Sequence, residues 1–132
     1  MTNKDKEALL LAAGEARRAA YAPYSGFLVG AALLAEDGRI FSGCNVECGS
    51  YTPTVCAERV ALGTAVAAGA RRFVAIAVVG GHGEVEEPCP PCGVCRQALS
   101  EFSDGSLSVV FRDGDGFRTV ALSDLFPYGF KL

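Results

Sequence analysis

The chain has 132 residues, with 12 Lys and Arg against 15 Asp and Glu for a net charge of −3, and half of its residues are hydrophobic. That composition describes a globular chain, expected to form one domain over residues 1–132, and excludes a disordered one. The acidic balance argues against a nucleic-acid polymer as partner, and no apolar run approaches the roughly eighteen residues that a membrane span needs.

The polar start, Met1–Lys6, does not read as a secretory leader. A cytoplasmic protein is therefore expected. Its six cysteines, Cys44, Cys48, Cys56, Cys89, Cys92 and Cys95, are then expected to serve metal binding or catalysis rather than disulfides. The single histidine, His82, excludes any two-histidine site and leaves a Ser-His-Asp triad only if His82 is its base.

Residues 5–21 carry Leu9, Ala12, Ala13, Ala16 and Ala20 at helical spacing, with Asn3 as the expected N-cap. Pro23 and Gly26 break that helix. Phe27–Ala35 and Arg39–Gly43 flank Glu36-Asp37-Gly38 and predict a hairpin. Cys44–Pro53 reads as a polar loop. Cys56–Gly69 is a helix of small apolar residues nearly all round, expected to be buried in a core or at a subunit contact. Phe73–Val79 is a continuous apolar run that suits a central strand, and Gly80–Pro91 a loop. Cys92–Phe102 predicts a helix, Ser106–Phe111 and Phe117–Ala121 two strands, and Ser123 the cap of a last turn before Pro127. Strands alternating with helices predict an α/β fold: a three-layer α-β-α sandwich around a mixed, mostly parallel five-stranded sheet, with right-handed crossovers and one antiparallel hairpin strand.

Two stretches carry the chemistry: Cys56-Ala57-Glu58-Arg59 and Pro91-Cys92-Gly93-Val94-Cys95-Arg96-Gln97. Cys92 and Cys95, three apart on a helix, share a face, and Cys56 opens the other helix. Helix N-termini favour the thiolate form, and soft sulfur ligands point to Zn²⁺. Spacing alone leaves two sites open: a three-thiolate site with a position free for water, or a closed four-cysteine site completed by Cys44, Cys48 or Cys89. Glu58 favours the open site, because a structural zinc has no use for a neighbouring carboxylate. Residues i and i+2 of a regular helix point about 200° apart, so Cys56 must sit at the irregular helix start for Glu58 to reach it. Three thiolates on a dication leave a formal charge of about −1, which Arg59 and Arg96 are expected to offset by hydrogen-bonding the sulfurs.

These stretches resemble the zinc-dependent cytidine deaminases of the small homotetrameric type. Further matches fall in the same order: Tyr21-Ala22-Pro23-Tyr24-Ser25-Gly26-Phe27, Gly30-Ala31-Ala32, Gly43-Cys44-Asn45-Val46-Glu47 and Ser50-Tyr51. The resemblance implies zinc on Cys56, Cys92 and Cys95, and Glu58 as the catalytic proton shuttle. It implies hydrolytic deamination of cytidine and 2′-deoxycytidine by attack at C4, a reaction of pyrimidine salvage. It assigns Phe27, Asn45, Val46, Glu47 and Ala57 to the nucleoside, with Asn45 and Glu47 at the ribose and Phe27 on the ring. It also implies a homotetramer in which Tyr51 and Phe130 reach a neighbour's site.

The match is imperfect. Cys48 stands where the family often has asparagine, and Cys89 adds a thiol before the Cys-x-x-Cys. Leu62–Ala65 and Pro127–Phe130 are also similar to the blasticidin-S deaminases, so a modified cytosine nucleoside is the alternative substrate. A non-catalytic zinc-stabilised interaction module is the alternative of another class.

Overall fold

The computed structural model describes residues 1–132. In chain order the elements are α1 (Asn3–Arg17), β1 (Phe27–Ala35), β2 (Ile40–Cys44), α2 (Ala57–Ala67), β3 (Phe73–His82), α3 (Gly93–Ser100), β4 (Ser108–Asp113), β5 (Gly116–Ala121) and the short α4 (Leu122–Leu125). The strands form one sheet in the order β2-β1-β3-β4-β5.

The mixed five-stranded sheet with helices on both faces is as expected. Its parallel share is smaller than expected: only β3 and β4 pair in parallel, while β1–β2, β1–β3 and β4–β5 are antiparallel. The physical reason lies in β1. Its residues are apolar on both faces and most of them buried, so it takes an interior place with neighbours on both edges. The alternating exposure of β2 suits an edge strand. The β2–α2–β3 connection does return the chain in the same direction, but β1 lies between the two strands it joins.

Two apolar layers hold the sandwich. On one face Leu9, Leu10 and Ala13 of α1 pack on Ala32, Ala75, Ala77, Val79 and Val110. On the other, Ala57, Ala61, Leu62, Ala65 and Leu99 from α2 and α3 pack on Ala31, Leu33, Ile76, Val78 and Val109. Each buried leucine contributes about 1.5–3 kcal/mol. Two glycines let helices approach the sheet. A Cβ at Gly30 would lie on the backbone of Ala13 and Arg17, and one at Gly43 would lie 2.4 Å from Ala61 N and 2.6 Å from Ala57 O.

Several boundaries differ from expectation: β3 runs on to His82, into the expected loop, α3 ends at Ser100, and β4 starts at Ser108. Thr2, not Asn3, caps α1: its hydroxyl accepts from Asp5 N at 3.1 Å and Asp5 accepts from Thr2 N at 2.8 Å. The helix ends at Arg17 rather than continuing to 21, and the chain then pairs elsewhere. Tyr21 N donates to Asn45 O at 3.0 Å, and Tyr21 O accepts from Glu47 N at 2.9 Å. Ala121, rather than Ser123, precedes the last helical turn.

Because Gly43 touches α2 backbone, Gly43→Ala is expected to destabilise the protein by about 1–3 kcal/mol through overpacking. Gly14→Ala, at an open position of α1, is expected to stabilise by about 0.5–1 kcal/mol. Thermal and denaturant unfolding of the two variants check this pair, and equal effects would refute it.

Candidate active site

The parts of the site come from the ends of elements. Cys56 is the N-cap of α2 and Cys92 the N-cap of α3, both with extended backbone; Cys95 lies one turn into α3 and is fully buried. Both helices start beside the three thiols, so the positive ends of two helix dipoles meet there. Cys56 thus occupies the irregular helix start that contact with Glu58 requires.

The three sulfurs lie within 4.8 Å of one another, and Cys56 Sγ is 3.8 Å from Cys92 Sγ. A tetrahedral zinc with bonds of about 2.3 Å needs sulfurs roughly 3.8 Å apart, so the donor set fits that ion. No fourth Cys, His, Asp or Glu joins the three. Cys44, Cys48 and Cys89 stand outside the cluster, which removes the closed four-cysteine site. Burial pushes the Cys89 thiol up to about 12, helped by the negative charge of Glu58, so it stays protonated.

Hydrogen bonding from Cys95 draws the Cys56 thiol down to about 5, with further help from Arg59 and Cys92. The same bond, together with burial, holds Cys95 above the usual thiol range. The pair therefore shares one negative charge until a cation arrives, and metal binding must then release the remaining protons. Glu58 is 4% exposed, the only buried carboxylate, and has no ion-pair partner. Burial raises it to about 7, opposed first by a hydrogen bond from its own backbone N–H and then by one from Cys95, while the Cys56 charge adds to the rise. A bound cation draws that value back down. Such a group sits near neutrality, where a carboxyl can both take and give a proton.

Arg59 and Arg96 behave differently. Arg59 Nη2 donates to Cys56 Sγ at 3.9 Å and to Thr54 O at 3.5 Å, and its buried Nε has no partner. No carboxylate neutralises it, so its positive charge is available to the thiolates. Arg96 makes no sulfur contact. It donates to Pro91 O at 2.7 Å and Leu125 O at 2.6 Å, clasping the start of α3 to the end of α4. The expectation that Arg96 bonds a sulfur is corrected: those carbonyls occupy its guanidinium.

Asn45 accepts from Val29 N at 2.9 Å and donates to Phe27 O at 2.9 Å. Glu47 accepts from Tyr24 N and Ser25 N, both at 3.0 Å, and from the Ser25 hydroxyl. These bonds hold the Glu47 carboxyl below its usual range. Val46 spends both backbone groups on Val55, at 3.0 and 2.9 Å. Ala57 is the first residue of α2 and fully buried. Phe27 opens β1 with its ring against His82. Tyr51 is 77% exposed with a positive φ of 62°, and Phe130 is 65% exposed; both rings stand in solvent. Ser25, which bonds Glu47, and Arg17, which bonds Leu28 O, were not singled out in the sequence, and His82 lies against Phe27 rather than in a triad. A groove of about 1030 Å³ lies among Leu34, Phe73 and Phe102, and neither the three thiols nor Glu58 line it.

Fold and site define the class: an α/β protein with a three-thiolate metal centre and a buried acid beside it. Comparison with known proteins narrows it. Residues 2–111 match the cytidine and deoxycytidylate deaminase zinc-binding region. The chain is 46% identical over 128 residues to a cytidine deaminase of Sporosarcina psychrophila, covering 96% of this chain and 92% of that one. It is 43% identical over 120 residues to a cytidine deaminase of Mycobacterium tuberculosis, covering 91% and 85%. Its fold superposes on the crystal structure of cytidine deaminase from Burkholderia pseudomallei with a TM-score of 0.85 at 50% identity, covering 98% and 100%. The chain belongs to the cytidine and deoxycytidylate deaminase zinc-binding family.

The purified protein is expected to bind one zinc per chain, with three sulfurs and one lighter atom around it by X-ray absorption. A fourth sulfur would contradict the open site, and Cys95→Ser is expected to lose most of the metal.

Proposed function

We propose that the protein hydrolyses cytidine and 2′-deoxycytidine to uridine and 2′-deoxyuridine, releasing ammonia. One observation carries this reading: the only buried carboxylate, Glu58, sits beside three thiols that no fourth donor completes. A zinc ion held by Cys56, Cys92 and Cys95 supplies the Lewis acidity that makes water nucleophilic near neutral pH. Glu58 accepts a proton from that water and delivers it to ring N3. The water oxygen bonds to C4 as the C4=N3 π bond opens onto N3. Glu58 then takes the second proton, from the hydroxyl now on C4, and gives it to the amino nitrogen, so that C4=O forms as the C4–N4 bond breaks and ammonia leaves. Arg59 balances the negative charge of the thiolates.

Substrate recognition is assigned to the rim. Phe27 stacks on the pyrimidine, and the backbone at Ala57, with its free helix-start N–H, meets the polar edge of the base. Asn45 retains one N–H and one lone pair, and Glu47 Oε2 retains acceptor capacity, which suits a ribose hydroxyl that both donates and accepts. This intact pair favours the unmodified nucleoside over blasticidin S, and side-by-side turnover of the two compounds separates them. Val46 contributes its exposed side chain alone, because its backbone is committed. The six cysteines, none of them in a disulfide, suit the reducing cytoplasm.

The functional unit is a homotetramer. Exposed Tyr51 and Phe130 have no site to fill within their own chain. Gly63, Thr64 and Ala67 give α2 a small-residue outer face, on which a second helix can lie close.

Glu58→Gln is expected to lower cytidine turnover by about 10²–10⁴-fold, the range of positioned acid–base catalysis, with zinc content unchanged. Near-normal turnover in that variant would sink the proton-shuttle role. Mixing inactive Glu58→Gln subunits with Phe130→Ala subunits is expected to restore part of the activity. No recovery, or a sedimentation mass of one chain, would rule out shared sites.

A further inference from the structure

The segment that leaves β3 and leads to the metal-ligand turn is gathered around one side chain from the other face of the sheet. Arg17, the last residue of α1, donates Nε to Leu28 O at 2.9 Å. Its Nη2 faces three alternate carbonyls, Gly81 O and Gly83 O at 2.7 Å each and Val85 O at 3.3 Å. Arg17 has no carboxylate partner, so its charge is committed to these carbonyls, and such charge-assisted bonds are roughly twice as strong as neutral ones. Arg112 of β4 holds the next part of the strap through Glu86 at 3.4 Å, while also binding Glu7 at 3.2 Å. Across the base of the strap, Glu87 N donates to Gly80 O at 2.8 Å, and His82 Nδ1 donates to Glu87 Oε2 at 3.0 Å.

At the site, the strap becomes a backing for one ring. The His82 imidazole meets Phe27 edge to face, with centroids 5.0 Å apart and planes at 80°. Behind it, Cys89 and Phe27 converge on Gly80: a Cβ there would lie 2.7 Å from Cys89 Sγ and 3.0 Å from Phe27 Cε2. The orientation of Phe27 is therefore set from the strap, and the shape of the strap is set by Arg17.

We propose that Arg17 and His82 are positioning residues for the nucleobase. Arg17 shapes the strap, the strap sets the His82 ring, and that ring fixes Phe27 against the pyrimidine. The proposal rests on the deaminase reading above, in which Phe27 stacks on the base. Both residues lie outside the thiol cluster, so their loss acts on binding of the ring rather than on proton transfer or metal content.

The test is a kinetic cycle with cytidine on the zinc-loaded enzyme. Arg17→Ala, Arg17→Lys, His82→Leu and Phe27→Leu are compared singly, and the first and third also in the Phe27→Leu background, with zinc content and melting temperature measured for each. Arg17→Ala and His82→Leu are each expected to raise KM by about two- to tenfold, the worth of one aromatic pair contact, with kcat and zinc content nearly unchanged. Arg17→Lys, which keeps the charge but loses the fork of donors, is expected to recover only part of the loss. In the Phe27→Leu background the same changes are expected to alter KM by less than about twofold, because coupled residues are not additive. Additive effects, or a loss confined to kcat or to zinc, overturn the proposal; so does a Phe27→Leu enzyme with unchanged KM. A parent enzyme inert toward cytidine is a different result, which removes the deaminase reading itself. Should Arg17→Ala fail to fold, the His82–Phe27 cycle alone decides.

Discussion

Three sulfurs that carry negative charge when they bind a cation must be held within 4.8 Å of one another, and the rest of the fold serves that requirement. Like charges at that distance repel unless positive ends face them. The starts of α2 and α3 supply those ends. Both helices begin at the same edge because β2 and β3, which precede them, run in the same direction, although β1 separates them in the sheet. Ligands in open α/β sheets collect where strands end and helices begin, and this site follows that rule with a largely antiparallel sheet. The contact of Gly43 with the Ala57 and Ala61 backbone then fixes how far α2 stands from the strands. That distance determines where Cys56 lies relative to Cys92 and Cys95.

The acid in the site makes sense only with that cluster. Burying a carboxyl without a counter-ion is costly, and natural cores avoid it. Glu58 nonetheless lies 4% exposed, next to thiols whose charge raises it further. Such an arrangement is unfavourable for a protein that only needs to be stable, and it is characteristic of groups that move protons. Arg59 supplies the compensating charge from the far side of Cys56, and its unpartnered Nε shows that no carboxylate has claimed it.

Much of this was legible from residue types. Cys, Glu and Arg at short spacing disclosed the centre, and period and turn residues disclosed β1, β3 and both ligand-bearing helices. What the sequence concealed depends on backbone acceptors that no residue type marks. Arg96 was expected on a sulfur and instead bonds Pro91 O and Leu125 O, because carbonyls brought close by folding compete for any nearby guanidinium. Arg17 carried no signal, since its partners are carbonyls, three of them more than sixty residues away. The early end of α1 has the same origin, with Tyr21 recruited by Asn45 and Glu47. The place of β1 between β2 and β3 was hidden as well, because a continuous apolar run marks a buried strand without naming its neighbours.

The rim residues show how the fold limits motion where the nucleoside is proposed to sit. Asn45 ties the start of β1 by two bonds, to Val29 N and Phe27 O, while its own backbone is bonded to Val29 and Tyr21. Glu47 is pinned by two backbone N–H groups and the Ser25 hydroxyl, and that hydroxyl also accepts from Phe27 N at 3.0 Å. The groups assigned to the sugar and the ring assigned to the base are thus cross-linked through Ser25 and Asn45. The Asn45 and Glu47 side chains cannot swing without breaking these bonds, and the Phe27 backbone is held by both Ser25 and Asn45. A site so constrained loses little side-chain freedom when a ligand arrives, which in the proposed reading leaves binding free energy for aligning C4 with Glu58 rather than for ordering the pocket. The residues proposed to recognise the nucleoside are the same ones that hold the end of β1 in place, which ties the proposed geometry of recognition to the local fold.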